Sequence, residues 1–367
     1  MASIQLQGDN SGSLTIQAPS DAGNNTLTLP ATSQTLATQN ALGVRNLIIN
    51  GDMRIDQRNA GASITANNQT FAVDRFKFRT SQSSKMTAER STDVPTGQGF
   101  KYSTKITSSS AYTVLSTDFF NMQHLCEVQN IDHLMFGTAN AKTVTLSFWV
   151  KSSLTGSFSV SLNNLGISPS VYPAEYIINA ANTWEKKTIT IQGDTSGTYN
   201  TTPNSAGLGV IFNLGFGSSF QGTKNSWNST DANTFSGAVN LVETNGATLY
   251  ITGVQLEVGE IATPFEHRPY DMELARCQRY YFKDEPVRIK TYSVSGSNNS
   301  VSRYNFPTTM RASPTITITT GTTSNLSSAS TNQTSISGTS ITLIASAAGT
   351  VAIGDASDGA IELSAEL

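Results

Sequence analysis

At 367 residues the chain has room for two or three domains, and its two cysteines, Cys126 and Cys277, cannot build a disulfide framework. Charged side chains make up 13% of it, about half the share usual in soluble domains, and Ser, Thr, Asn and Gly stand in their place. A formal net charge of -3 excludes a phosphate-neutralising grip on nucleic acid, and no run approaches the ~18 consecutive apolar residues that membrane insertion requires.

The N-terminus, Met1-Ala2-Ser3-Ile4-Gln5, has neither the basic start nor the apolar stretch of a signal peptide. Folding in a reducing cytoplasm is therefore expected. Such a chain can still be displayed outside a cell if it travels on a particle assembled there. Residues 1–45 contain no aromatic residue, and no charge falls between Asp21 and Arg45. Alternating runs at Ser13-Leu14-Thr15-Ile16-Gln17 and Thr26-Leu27-Thr28-Leu29-Pro30 read as short strands, with turns at Asp9-Asn10-Ser11-Gly12 and Ala22-Gly23-Asn24-Asn25. We read 1–45 as an attachment segment that becomes ordered against neighbouring subunits or a docking partner. A flexible tail is the alternative.

Residues 46–268 read as all-β. Asn46 to Asp52 forms an opening strand that pairs with a closing strand from Leu249 to Gly259. Val144, Leu146, Phe148 and Val150 alternate with Thr145, Ser147, Trp149 and Lys151, the pattern of a half-buried strand. Lys187, Ile189 and Ile191 continue it. In Phe71-Ala72-Val73-Asp74-Arg75-Phe76-Lys77-Phe78 the apolar positions slip by one, which predicts a β-bulge near Asp74, and a second slip falls at Gly253. The stretch from Gly217 to Asn233 is a surface loop.

Residues 269–285 are read as a helical connector, capped by Asp271, with Glu273 in its first turn and Leu274, Cys277 and Tyr281 on one face, ending near Asp284-Glu285-Pro286. Tyr280, Tyr281 and Phe282 offer more aromatic surface than one helical turn buries within a monomer. Leu274, Cys277, Tyr280 and Tyr281 are therefore expected at an oligomer interface, with Arg276 and Arg279 meeting carboxylates of an adjacent chain. Residues 286–367 form a C-terminal β-domain, clearest at Thr315–Thr319 and Ser340–Ile344. No charge appears between Arg311 and Asp355, so its strand edges are expected to be covered by identical neighbours. Both ends of the chain look too polar to fold without partner copies.

Five segments together carry a resemblance: Asn46 to Met53, Val73-Asp74-Arg75-Phe76, Ser147 to Lys151, Thr183 to Lys187, and Ile251 to Gly259. In that order they resemble a carbohydrate-binding-module-like jelly roll found in tail fibres and other virion proteins of tailed bacteriophages. Pro264 to Pro269 and Glu273 to Tyr281 resemble the connector that follows it there. The resemblance implies an antiparallel jelly-roll β-sandwich in a homotrimeric fibre. It also implies a non-enzymatic virion structural protein that attaches to the host surface by multivalent glycan binding, with phage tail or baseplate proteins and a host cell-surface glycan as partners. A capsid decoration, a head fibre or a baseplate component without receptor contact remains open, and so does a polysaccharide depolymerase. No cofactor is expected. Related jelly rolls often hold calcium between first and last strands, but here Asp52 is followed by Arg54, so no metal is expected and carboxylates paired with Arg54 and Arg58 are the plainer reading.

Several constellations could carry chemistry. His124 and His133 flank Cys126, which makes a Cys/His nucleophile conceivable. Asp52, Asp56, Asp74, Glu257, Glu260 and Glu266 supply carboxylates, yet a glycosidase needs two at a set separation across a cleft. No catalytic residue is therefore assigned. Sugar stacking needs an aromatic face, and Trp227, Trp149, Tyr172 and Tyr176 are the candidate ligand-binding residues. Packing in subunit interfaces is the alternative for the two tryptophans.

Overall fold

The computed structural model describes residues 3–7, 13–17, 45–166, 168–293, 299–332, 334–346, 349–354 and 358–367. The chain divides into two compact units, Met1–Gly43 and Val44–Leu367. In the first, β1 (Ser3–Gln7) pairs antiparallel with β2 (Ser13–Gln17), the second of which was expected from its alternation. The expected strand at Thr26–Leu29 and both expected turns lie outside the described residues.

The second unit opens with an antiparallel β-sandwich. Its strands are β3 (Ile64–Thr65), β4 (Phe71–Val73), β5 (Phe76–Thr80), β6 (Met86–Ser91), β7 (Ser103–Ser108), β8 (Phe119–Glu127), β9 (Val144–Ser152), β10 (Gly156–Asn164), β11 (Val171–Ile178), β12 (Glu185–Ile191), β13 (Ala206–Phe216) and β14 (Thr248–Val258). One sheet runs β11-β10-β13-β8-β5-β4 and the other β12-β9-β14-β7-β6-β3. The inward positions alternate along each strand: Phe120, Met122, Phe158, Phe212 and Leu214 from the first sheet meet Val144, Leu146, Phe148, Val150 and Ile251 from the second. Phe148 and Phe212 touch edge to face with ring centroids 5.1 Å apart. Each such side chain contributes on the order of 2–3 kcal/mol by burial.

One local expectation is corrected and two are met. Asn46 to Asp52 lies beside β14 but is not a regular strand. Leu47 N–H donates to Leu256 O and Val254 N–H to Gly51 O, while the Asn46 amide takes other rungs, accepting from Leu256 N–H at 3.1 Å and donating to Val254 O at 3.1 Å. Left-handed φ values of 61° at Asn50 and 58° at Met53 turn the chain away. Near Asp74 the register shift expected there falls between Phe71 and Val73 on β4, and a tight turn with Arg75 at φ 71° follows it into β5. The slip at Gly253 is the register shift expected of it, between Thr252 and Gln255 on β14.

The helix is also shorter than expected. Helix α1 (Tyr270–Gln278) starts after Pro269, and Asp271 is an exposed first-turn residue without a capping bond. The chain enters β15 (Tyr281–Val287) at once, because this strand pairs with β22 (Gly359–Ser364) and Tyr281 and Phe282 suit a pleated surface. The remaining C-terminal strands are β16 (Ile289–Ser293), β17 (Asn299–Asn305), β18 (Thr315–Thr319), β19 (Leu326–Asn332), β20 (Gly338–Ala345) and β21 (Gly349–Ile353). They form sheets β15-β22-β18, β16-β21 and β17-β20-β19.

This region has its own core of Phe306, Met310, Ile341, Leu343, Val351, Ile353, Ile361 and Leu363. One chain thus buries more apolar surface here than its polar composition suggested. The expected interface residues join it to the sandwich instead. Cys277 and Tyr280 are buried with Ile49 and Ile55, Leu274 packs against them, and Tyr281 is 5% exposed. Arg279 meets Glu127 of its own chain through two 2.9 Å bonds. The count of what one helical turn buries left out Ile49 and Ile55, which come from far earlier in the chain.

Candidate functional site

The outer face of the first sheet is built from the polar half of each alternation. Along β8, Asn121, Gln123 and Leu125 face outward while Met122, His124 and Cys126 face in, and along β10 Ser161 and Asn163 do the same against Val160 and Leu162. Antiparallel register sets these side chains in rows. Lys77, Gln123, Ile211 and Ser161 are successive cross-strand neighbours, as are Arg79, Asn121 and Asn213. The loop after β13 folds back at the rim, bringing Phe220, Asp231 and Asn233.

The result is a cleft of about 550 Å³. One end has three phenyl rings, with Phe220 edge-on to Phe119 at 6.1 Å and to Phe216 at 5.3 Å. The middle is amide. Asn163 Nδ2 and Ser161 Oγ both donate to Asn233 Oδ1, at 2.7 and 3.1 Å, and Asn213 Nδ2 donates to Thr234 Oγ1 at 3.0 Å. Two acceptors are left over: Asn121 Oδ1 and Asn213 Oδ1 are buried with no partner. An orphaned buried acceptor costs about 1–3 kcal/mol; Asn121 belongs to the cleft lining, and Asn213, its cross-strand neighbour on β13, does not. Gln123, 5% exposed, makes no side-chain hydrogen bond among the described residues.

Cations stand along one side. Burial pulls the Lys77 amine down to about 8, partly offset by Glu366, and Arg79 lies 5.5 Å over the Phe119 ring. Asp231 is the one carboxylate in the lining, and it accepts from Asn233. Such a surface can trade hydrogen bonds with a polyhydroxylated ligand and stack on its apolar face.

The four aromatic residues chosen from sequence do not converge on it. Tyr176 is a core residue, 4% exposed, between Phe148 and Phe158, and burial raises its phenol well above the ordinary range. This corrects its assignment as a ligand residue: its even-numbered position on β11 points inward with Ala174 and Ile178. Trp227 and Tyr172 do meet, at 5.5 Å, but as a half-buried plug at the end of the sandwich with Phe136. Trp227 Nε1 donates to Gln192 O at 2.8 Å. Trp149 lies half-buried on the outer face of the opposite sheet. Asn121, Gln123 and Asn163 were missed, although polar residues at alternate positions, Asn121 and Gln123 on β8 and Ser159, Ser161 and Asn163 on β10, are a legible signal of a polar face.

The Cys/His possibility closes. Cys126 Sγ is 3.8 Å from His124 Nδ1, but both are buried, and burial pushes the thiol up to about 12 and the imidazole well below its usual range. His124 Nε2 is occupied as the acceptor of Ile49 N–H. Asp52 pairs with Arg54 at 3.1 Å, and Arg58 reaches Asp74 at 2.9 Å. Among the described residues no group of three His, Cys, Asp or Glu is placed to hold a metal ion, and no helix is long and apolar enough to cross a membrane.

No protein-family model matches the chain, and no curated protein matches it. Among solved structures it is similar to the enzymatically active domain of tailspike protein 4 of bacteriophage CBA120, with 13% identity over 56% of this chain and a TM-score of 0.31. The chain spans only 22% of that domain's length. It is also similar to the CBM22-1 xylan-binding domain of Paenibacillus barcinonensis Xyn10C, with 10% identity, 56% of this chain, 99% of that one and a TM-score of 0.28. The family 11 carbohydrate-binding module of a Clostridium thermocellum cellulosomal cellulase matches with 10% identity, 57% of this chain, 100% of that one and a TM-score of 0.28. At such identities no ligand contact carries over.

Proposed function

We propose that this chain is a non-enzymatic, glycan-binding fibre subunit of a tailed-phage virion, which holds a host-surface saccharide in the amide-lined cleft. The observation that carries this reading is the set of amides in the cleft lining, Asn121, Gln123 and Asn163, of which Asn121 Oδ1 has no partner and Gln123 makes no side-chain hydrogen bond among the described residues. Sugar hydroxyls are donors as well as acceptors, and they would supply what these two amides lack without introducing charge. The phenyl rings of Phe119 and Phe220 would take the C–H face of a ring at the cleft's end.

The virion setting is supported by the sequence resemblance over Asn46 to Phe282 and by a surface hydrated with hydroxyls rather than ions. Self-association into a trimer is supported by β18 and β19, edge strands of their sheets that carry no charged side chain. Three linked weak sites would act by avidity. The test is the full chain on an array of bacterial surface polysaccharides, with reducing ends assayed in parallel. Retention of at least one glycan without release of reducing ends is expected. Silence across the array removes the glycan reading, and new reducing ends remove the non-enzymatic one. A sedimentation measurement giving a monomer removes the trimer.

A further inference from the structure

On the outer face of the opposite sheet, two hollows meet at His267. The first, about 410 Å³, is walled by Phe100, Trp149, Phe265 and His267. Phe265 packs edge-on against Phe100 at 5.1 Å and against His267 at 4.9 Å. Gly253 keeps its floor open: it sits at φ +62°, and a Cβ there would come within 2.6 Å of Phe100 Cζ and 3.2 Å of Trp149 Cδ1. The second hollow, about 480 Å³, is lined by Arg54, Arg90 and Lys101 against the single carboxylate of Asp52, with Tyr102 and Tyr270 alongside.

The charges of the second hollow are unevenly spent. Asp52 is taken by Arg54. Arg90 lies 4.4 Å over the Tyr102 ring and donates to a backbone oxygen, Arg54 O, and among the described residues it meets no carboxylate. Lys101 is exposed and, among the described residues, makes no ion pair. Positive charge therefore faces solvent immediately beside an aromatic platform.

We propose that this double hollow binds an acidic saccharide: a pyranose whose C–H face lies on Trp149 and the neighbouring rings, and whose carboxylate or phosphate is met by Lys101 and Arg90. This site is independent of the amide cleft and selects by charge, where the cleft selects by hydroxyl pattern. The two lie on opposite sheets, so one subunit would hold two different features of a mixed surface polymer.

The chain contains three tryptophans, so 5-fluorotryptophan labelling of the full chain gives resolvable reporters. The probes are trigalacturonate, its carboxyl-reduced neutral trimer, and mannose 6-phosphate. An acidic probe is expected to move the Trp149 resonance and leave that of Trp227 in place, and whichever acidic probe acts names the source of the charge. Lys101→Ser, at an exposed position, should weaken that binding about tenfold through loss of one charge-assisted bond. The proposal is overturned if the neutral trimer moves Trp149 as strongly, if none of the three probes moves it, or if Lys101→Ser binds unchanged.

Discussion

Glu366 holds two arginines at once. Its Oε1 is 2.8 Å from Arg58 and its Oε2 2.5 Å from Arg75, which is 3% exposed and lies 3.4 Å over the ring of Tyr280. Removing one partner of a buried pair leaves the other charged and desolvated, at a cost of about 3–5 kcal/mol. Glu366→Ala should lower stability by about 3 kcal/mol in urea unfolding, and an unchanged midpoint would show that Arg75 finds other compensation. Asp74 behaves differently. Burial pushes its carboxyl up from 3.8 to about 6 against the pull of Arg58 and Gln57. The folded form therefore keeps a proton that the unfolded form has lost between about pH 4 and 6, and its contribution to stability falls as pH rises through that window. Measured against Asp74→Asn, the wild type should lose about 2–3 kcal/mol of relative stability between pH 4 and 7. Parallel melting curves for the two proteins across that range would contradict the assignment.

Strand β9 was legible because its apolar residues recur at every second position and the inner face accepts all of them. The Asp74 slip was ambiguous, since a bulge and a two-residue turn shift the apolar phase alike. The pairing shows both: a register shift between Phe71 and Val73, then the turn that sets Val73 opposite Phe76. The end of α1 was not legible for a related reason: the pull on Tyr281 comes from β22, which lies far along the chain. The segment beside β14 shows how closely two elements meet. A Cβ on Gly51 would fall 2.1 Å from the carbonyl oxygen of Val254, which is backbone and cannot swing away. Gly51→Ala should therefore cost about 1–3 kcal/mol, seen as an earlier thermal transition. A melting temperature within a degree of wild type would mean that the segment relaxes outward freely.

Across the molecule, the sandwich could be anticipated from periodicity, whereas the site could not be found by seeking tryptophan. Large aromatic residues serve two physical ends here: Tyr176 is buried in the core, while Trp227 and Tyr172 are half-buried against it. The cleft is lined with amides whose meaning depends on register: Gln123 stands opposite Lys77 only because β8 pairs with β5. The C-terminal region was misjudged in the other direction. Its Ile341 and Leu343 on β20 and Ile361 and Leu363 on β22 are few, but the fold brings the two strands' apolar sides into one core. The central claim concerns the cleft, and the direct measurement is glycan affinity of the Asn121→Ala/Gln123→Ala double variant beside the wild type, with melting temperature as the control for folding. Two lost hydrogen-bonding side chains predict at least a tenfold fall in affinity with the fold retained. An unaltered affinity in a correctly folded variant would contradict the account.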